Sequence, residues 1–217
     1  ALLLFRVGDF YETFGADAIR ASKILGIILT KRGAGSNSET ELAGFPHHSL
    51  NTYLPKLVRA GCRVAICDQL EDPKMTKKIV KRGVTELVTP GVSLNEEVLE
   101  HKKNNYLAAV FFGNQKIGIS FLDISTGEFL LTQGDTNYIN KLLQSFSPKE
   151  VIFAKSKKNN FYQDFNFQLH NFLLDDWVFT YDYAIDLLHQ QFEVKSLKGF
   201  GIHELETAKI SAGAVLH

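Results

Sequence analysis

Residues 2–7, Leu2-Leu3-Leu4-Phe5-Arg6-Val7, form a short, Leu-rich run that stops at Gly8. A run of this length closed by a breaker reads as a buried strand. Gly8 lets the backbone turn sharply. Asp9 is of a type that caps a helix starting just after it, so a helix is expected over about 9–25, closed by Gly26. On that reading Phe10 and Glu12 sit at a strand-to-helix junction. From spacing alone, Phe10 is an ordinary core residue and Glu12 serves the helix dipole.

The next stretch alternates in the same way. Ile27-Ile28-Leu29-Thr30 reads as a second strand, running into Lys31-Arg32 and a small polar loop over 33–39. A short strand over 41–45 follows, then Pro46-His47-His48 and a helix over about 49–60 in which Pro55 marks a kink or the true start. Residues 63–70 read as a strand, followed by the acidic turn Asp68-Gln69-Leu70-Glu71-Asp72-Pro73. A basic run carries Lys74, Lys77, Lys78, Lys81 and Arg82, and a last strand over 84–89 ends at Pro90-Gly91. Such a run is usually a solvated face; beside a nucleic acid it supplies phosphate contacts.

Residues 92–104 are polar and charged and read as a linker, which places one domain over 1–91 and another over 105–217. The second opens with three apolar runs separated by short turns, Gly113-Asn114 and Ser125-Thr126-Gly127, the signature of antiparallel hairpins. A helix over 136–146 then leads to a strand over 149–154, entered from a helix and so parallel to the first strand of this half. The order βββαβ resembles a ribonuclease H-like fold. Asp176 or Thr180 is positioned to cap a helix ending near Phe192, and another helix runs from about Glu204. The fold class is therefore α/β, two mixed-sheet domains with flanking helices, the second ribonuclease H-like.

Charge is balanced over the whole chain, 24 basic against 24 acidic side chains, but not along it. Residues 1–103 carry 15 basic and 12 acidic groups; residues 104–217 carry 9 and 12. Every arginine (Arg6, Arg20, Arg32, Arg59, Arg63 and Arg82) lies in the first part, and arginine suits forked contacts to phosphate or base. A nucleic-acid contact thus belongs to the first domain. Cys62 and Cys67, read as five apart on one strand, face opposite sides, which argues against a disulfide or shared metal and for a reducing cytosol. Adjacent His47 and His48 do not converge on one ion. No apolar stretch approaches membrane-spanning length, and the chain, opening without Met, reads as a fragment of something longer.

Four motifs in register carry a resemblance: Gly8-Asp9-Phe10-Tyr11-Glu12, Leu29-Thr30-Lys31-Arg32, Ala43-Gly44-Phe45-Pro46-His47-His48 and Val88-Thr89-Pro90-Gly91. Together they resemble the bacterial MutS family of DNA mismatch-repair proteins, with the second domain similar to that family's connector. The resemblance implies that Phe10 stacks as a wedge on a mispaired or unpaired base and that Glu12 hydrogen-bonds to it. Arg6, Lys31, Arg32, His47 and His48 become candidates for contacts to the DNA backbone by charge and loop position, and Tyr11 and Phe14 candidates for the core. It further implies double-stranded DNA with mismatches or small loops as the partner, a homodimer of the full-length protein, a MutL-family partner at the connector, a bacterial cytoplasmic, nucleoid-associated location, and ATP and magnesium bound outside this chain. No GxxxxGK[ST] run is present here, so no cofactor, metal or catalytic residue is expected on the chain.

One enzymatic alternative stays open on the residues: a metal-dependent, structure-specific nuclease using Asp9, Glu12, Asp68 and Glu71, with Asp72, if these converge at strand ends. The opening strand of the second domain, Tyr106 to Phe112, carries no carboxylate, so that domain reads as a fold without nuclease chemistry. A general structure-specific DNA- or RNA-binding protein and a purely structural module are the remaining alternatives.

Overall fold

The computed structural model describes residues 1–33, 39–71, 75, 79–92, 104–165 and 170–217. They divide into two compact units: Ala1–Pro90 fall in the first, and Gly91, Val92 and residues 104–217 in the second. The loop over 34–38, Asp72, Lys74, Lys77, Lys78 and most of the expected linker lie outside the described residues.

The first unit is built from β1 (Leu2–Val7), β2 (Phe10–Phe14), α1 (Gly15–Leu25), β3 (Thr30–Arg32), β4 (Thr40–Pro46), α2 (Leu50–Arg59), β5 (Val64–Gln69) and β6 (Arg82–Val88). The strands form one sheet in the order β3-β4-β2-β1-β5-β6. Only β1 and β5 run parallel; the other neighbours are antiparallel. Successive side chains on a strand face opposite sides. Leu2, Leu4, Tyr11, Phe45, Val64 and Ile66 therefore share one face, where they pack on Ala21 and Leu25 of α1 and Leu54, Leu57 and Val58 of α2. Full burial of each large side chain is worth about 1.5–3 kcal/mol, so this face decides the register of the sheet.

The structure corrects the expected helix over 9–25. Its first third is strand β2, and only Gly15–Leu25 are helical. Asp9 caps nothing; it is the second residue of a tight hairpin turn. The helix does close at Gly26, whose φ of +69° is left-handed and whose N–H donates to the Ser22 carbonyl. The expected strand over 27–30 is likewise absent: 27–29 have no regular structure, and β3 begins at Thr30. Pro55 lies inside α2, which continues through it. Cys62 precedes β5 rather than lying on it, and both cysteines are free and buried.

The second unit contains β7 (Leu107–Phe112), β8 (Ile117–Asp123), β9 (Glu128–Gly134), α3 (Thr136–Phe146), β10 (Glu150–Ala154), α4 (Lys158–Asp164), β11 (His170–Leu174), α5 (Tyr181–Phe192) and α6 (Glu206–Leu216). Its sheet runs β11-β10-β7-β8-β9. The three hairpin strands are antiparallel, and β10 is parallel to β7 as expected. β11, parallel to β10, completes the ribonuclease H-like order. One face buries Val110, Ile119, Phe121 and Phe153 with Ile139, Leu143 and Phe161. The other buries Leu107, Ala109 and Ile152 with Ile210, Ala214 and Val215 of α6. Of the two cap candidates, Thr180 takes the N-cap position of α5, with extended backbone and its carbonyl accepting the Ala184 N–H, but its hydroxyl donates to the Trp177 carbonyl rather than capping a helical N–H. No helix among the described residues is long and apolar enough to cross a membrane.

Candidate nucleic-acid interface

β1 and β2 are joined by a two-residue turn, Gly8-Asp9, with Val7 paired to Phe10 across it. Gly8 has φ +56° and Asp9 does not, the pattern of a type II′ hairpin with glycine first. The alternation along β2 then sorts its side chains. Tyr11 and Thr13 point into the core, 3% and 2% exposed. Phe10 and Glu12 lie on the other face, and Phe10 is 47% exposed. A strand, and not a helix start, presents both residues.

Glu12 is paired with Gly44 of β4. A Cβ at Gly44 would meet the Tyr11 carbonyl oxygen at 2.9 Å and the Glu12 Cγ at 3.5 Å. A groove of about 460 Å³ runs along β2, lined by Phe10, Glu12, Ile28, Thr30, Leu42 and Gly44. Ile28 stands 80% exposed at its rim, which is where the apolar run misread as a strand goes. The Glu12 Oε2 atom is shielded from solvent and accepts no hydrogen bond among the described residues. Arg32 Nη1 lies 3.7 Å from it.

The five cations singled out in the sequence separate into two groups. Lys31, Arg32 and His48 are exposed. Lys31 is ion-paired with Glu39, and Arg32 lies over the Phe14 ring at 5.9 Å. Phe14 is only half-buried on this outer face. Arg6 and His47 point back into the protein. Arg6 Nε donates to the Gly8 carbonyl at 2.6 Å, and its Nη1 is 3.7 Å from Asp68 Oδ1. The His47 N–H meets the Asp9 carbonyl oxygen at 2.8 Å, and its Nδ1 is 3.1 Å from the same atom.

Asp68 was invisible as a structural residue in the sequence, because its partner is 57 positions away. The Tyr11 hydroxyl donates to Asp68 Oδ2 at 2.6 Å. Burial works to raise the Asp68 pKa, but the hydrogen bonds from Tyr11 and the Gln69 N–H, with Arg6 and His47 nearby, hold it below the ordinary carboxylate value. Tyr11 is pushed up to about 12, first by burial and then by Asp68. A depressed carboxylate stabilises the fold above its unfolded pKa, about 3.9, and that contribution is lost as pH falls through the folded value. Urea melts across this acid range are expected to show the first unit losing stability less steeply in Asp68→Asn than in wild type. Equal slopes would mean that the Tyr11–Asp68 contact does not couple to folding.

The carboxylates of the nuclease alternative do not gather. Asp68 is engaged by Tyr11 and Arg6, Glu12 lies on the opposite face, and Glu71 accepts the Lys81 N–H at 2.8 Å. Asp9 contributes only its backbone carbonyl to the contacts above. Among the described residues no group of three potential metal ligands exists. In the second unit, Asp123 is fully buried and accepts bonds from the Ser125 hydroxyl and the Asn105 N–H. Burial opposes its charge, yet these bonds outweigh it and keep its pKa low. It closes a turn.

Comparison with known proteins agrees with this division. Residues 1–97 match the family model of MutS domain I, and residues 105–217 that of MutS domain II. Over all 217 residues the chain is 69% identical to a DNA mismatch repair protein MutS of Flavobacterium johnsoniae and 67% identical to one of Cytophaga hutchinsonii. It is 59% identical, over 216 residues, to one of Bacteroides thetaiotaomicron. The chain spans about a quarter of the length of these curated relatives, 25% in each case.

Proposed function

The chain belongs to the MutS family, and from that premise we propose that its first domain reads mismatched or looped duplex DNA with Phe10 and Glu12. The observation that supports this most directly is the pairing of an exposed aromatic ring with a carboxylate two residues on, both on the open face of a strand whose other face is core. An aromatic ring stacks on any base for about 1–3 kcal/mol. Inserting it into the minor groove unstacks a step and kinks the duplex, at a cost of a few kcal/mol. At a matched step these terms roughly cancel. At a mismatch or small loop, pairing is already weakened and the distortion costs less, so discrimination comes from deformability. One Phe can thereby sense many lesions.

Glu12 adds selectivity by two routes. Its shielded Oε2 has no hydrogen-bond donor among the described residues, so it is open to an N–H on a displaced base edge. Its charge also repels phosphates, which penalises tight binding to ordinary duplex. Arg32, 3.7 Å away, offsets part of that charge. Exposed Lys31, Arg32 and His48 make the backbone contacts that set register on the duplex. The Glu12→Gln variant is expected to bind matched duplex as well as or better than wild type and to lose discrimination. A Gln variant that instead fails to bind mismatched DNA at all would count against the repulsive role.

The second domain relays the DNA-bound state to an ATPase core and docks a MutL-family partner. The complete protein acts as a homodimer that uses ATP and magnesium held on the remaining length. The test of the reading as a whole is duplex affinity at fixed salt, matched against single-mismatch DNA, in a full-length protein carrying this chain. Equal affinities would overturn it, and absence of any salt-dependent binding would favour a purely structural module.

A further inference from the structure

We propose that Arg6 and His47 are positioning residues for Phe10, clamping the turn that carries it rather than contacting DNA phosphates. This rests on the reading of Phe10 as the stacking residue. The Gly8-Asp9 turn has two carbonyl oxygens, and both are taken. Arg6 Nε donates to Gly8 at 2.6 Å. The His47 N–H and ring Nδ1 converge on Asp9 at 2.8 and 3.1 Å. A carbonyl only accepts, so His47 Nδ1 carries the proton.

Each clamp is itself held. Arg6 lies over the Tyr11 ring at 5.7 Å and beside Asp68, and its side chain is only 16% exposed. Its backbone carbonyl accepts Arg82 Nε at 2.7 Å, and Arg82 lies over Phe5 at 5.4 Å. His47 follows Pro46, the register partner of Phe10 on β4. The turn is thus fixed from the β5–β6 side by arginine and from the β4 side by histidine. A wedge that must force apart a base step gains nothing if its base bends back. Holding the turn beforehand removes an ordering cost that binding would otherwise meet.

The test uses a full-length protein carrying Arg6→Met, Arg6→Lys, His47→Phe or His47→Gln. Affinities for matched and single-mismatch duplex are measured at several salt concentrations, with thermal melts alongside. Arg6→Lys keeps the charge and stem while losing Nε–H, which guards against a variant that simply unfolds. His47→Gln supplies an amide donor to the Asp9 carbonyl. Arg6→Met, Arg6→Lys and His47→Phe are expected to lower the mismatch-over-match ratio roughly fivefold, with matched affinity and salt slope unchanged. His47→Gln is expected to restore the ratio. A fall in matched affinity, with the salt slope reduced by about one for each residue, would make them phosphate contacts and overturn the proposal, as would an unchanged ratio in folded Arg6→Lys and His47→Phe. If Phe10→Ala, run in parallel, leaves the ratio intact, the underlying reading of Phe10 fails instead.

Discussion

Replacing Phe10 with alanine in a full-length protein is expected to erase the preference for mismatched over matched duplex while the protein stays folded. The two halves of that expectation come from the same strand. Phe10 is 47% exposed on the outer face, so its removal leaves no cavity among Leu4, Tyr11, Phe45 and Ile66. On the proposed reading its ring is the group that stacks, and a base–aromatic stack is worth about 1–3 kcal/mol, a factor of roughly 5 to 150 in affinity. Matched duplex, which gains little from the ring, changes far less. The measurement is the ratio of the two affinities at one salt concentration, with a melt to show the fold. A surviving preference would move the search for the sensor to exposed Lys31, Arg32 and His48.

The second large effect is in the other domain and concerns folding. Gly118 on β8 lies directly beneath the start of α6. A Cβ there would stand 2.0 Å from the Thr207 carbonyl oxygen and 2.2 Å from its carbon. These are backbone atoms and cannot swing aside as a side chain would. α6 itself is buried almost end to end, from Ala208 to Val215. Gly118→Ala is expected to cost about 3 kcal/mol by overpacking, lowering the thermal midpoint of this domain by roughly 10–20 °C. The transition of the first domain is expected to stay where it is. An unchanged midpoint would show that α6 does not sit on β8 in solution.

The elements legible in the sequence are those with a continuous apolar run or stripe and one clear stop. β1 ends at Gly8, α1 at Gly26, and the hairpins of β7, β8 and β9 turn at glycine-bearing loops. β2 was misread for a physical reason. Its outward residues include Phe10 and Phe14 and its inward ones Tyr11 and Thr13, so hydrophobicity does not alternate along it. The signals that would have found it are the Gly-Asp pair, which suits a two-residue II′ turn, and the aromatic and Thr content. The exposed Ile28 was read as strand because an apolar run normally means burial; here it rims a groove. Arg6 and His47 looked like their exposed neighbours, since charge alone does not say which way a side chain points. Asp68 meets Tyr11 only through the sheet, and no local pattern announces such a pair. Phe10 and Glu12 are singled out by the family resemblance alone; their spacing points instead to a core residue and a helix-dipole carboxylate, whereas both face outward from a strand.

The alternation along β2 separates the side chains that hold the domain together from those left facing outward. Positions 11 and 13 are spent on the core; positions 10 and 12 are not. The two residues proposed to read DNA are therefore interchangeable in a way that their scaffold is not. A tryptophan at 10 or a different side chain at 12 would meet solvent and groove rather than the packed core. Under the proposed function, selectivity for one class of lesion over another becomes a matter of two side chains, open to engineering on a domain that does not have to be rebuilt.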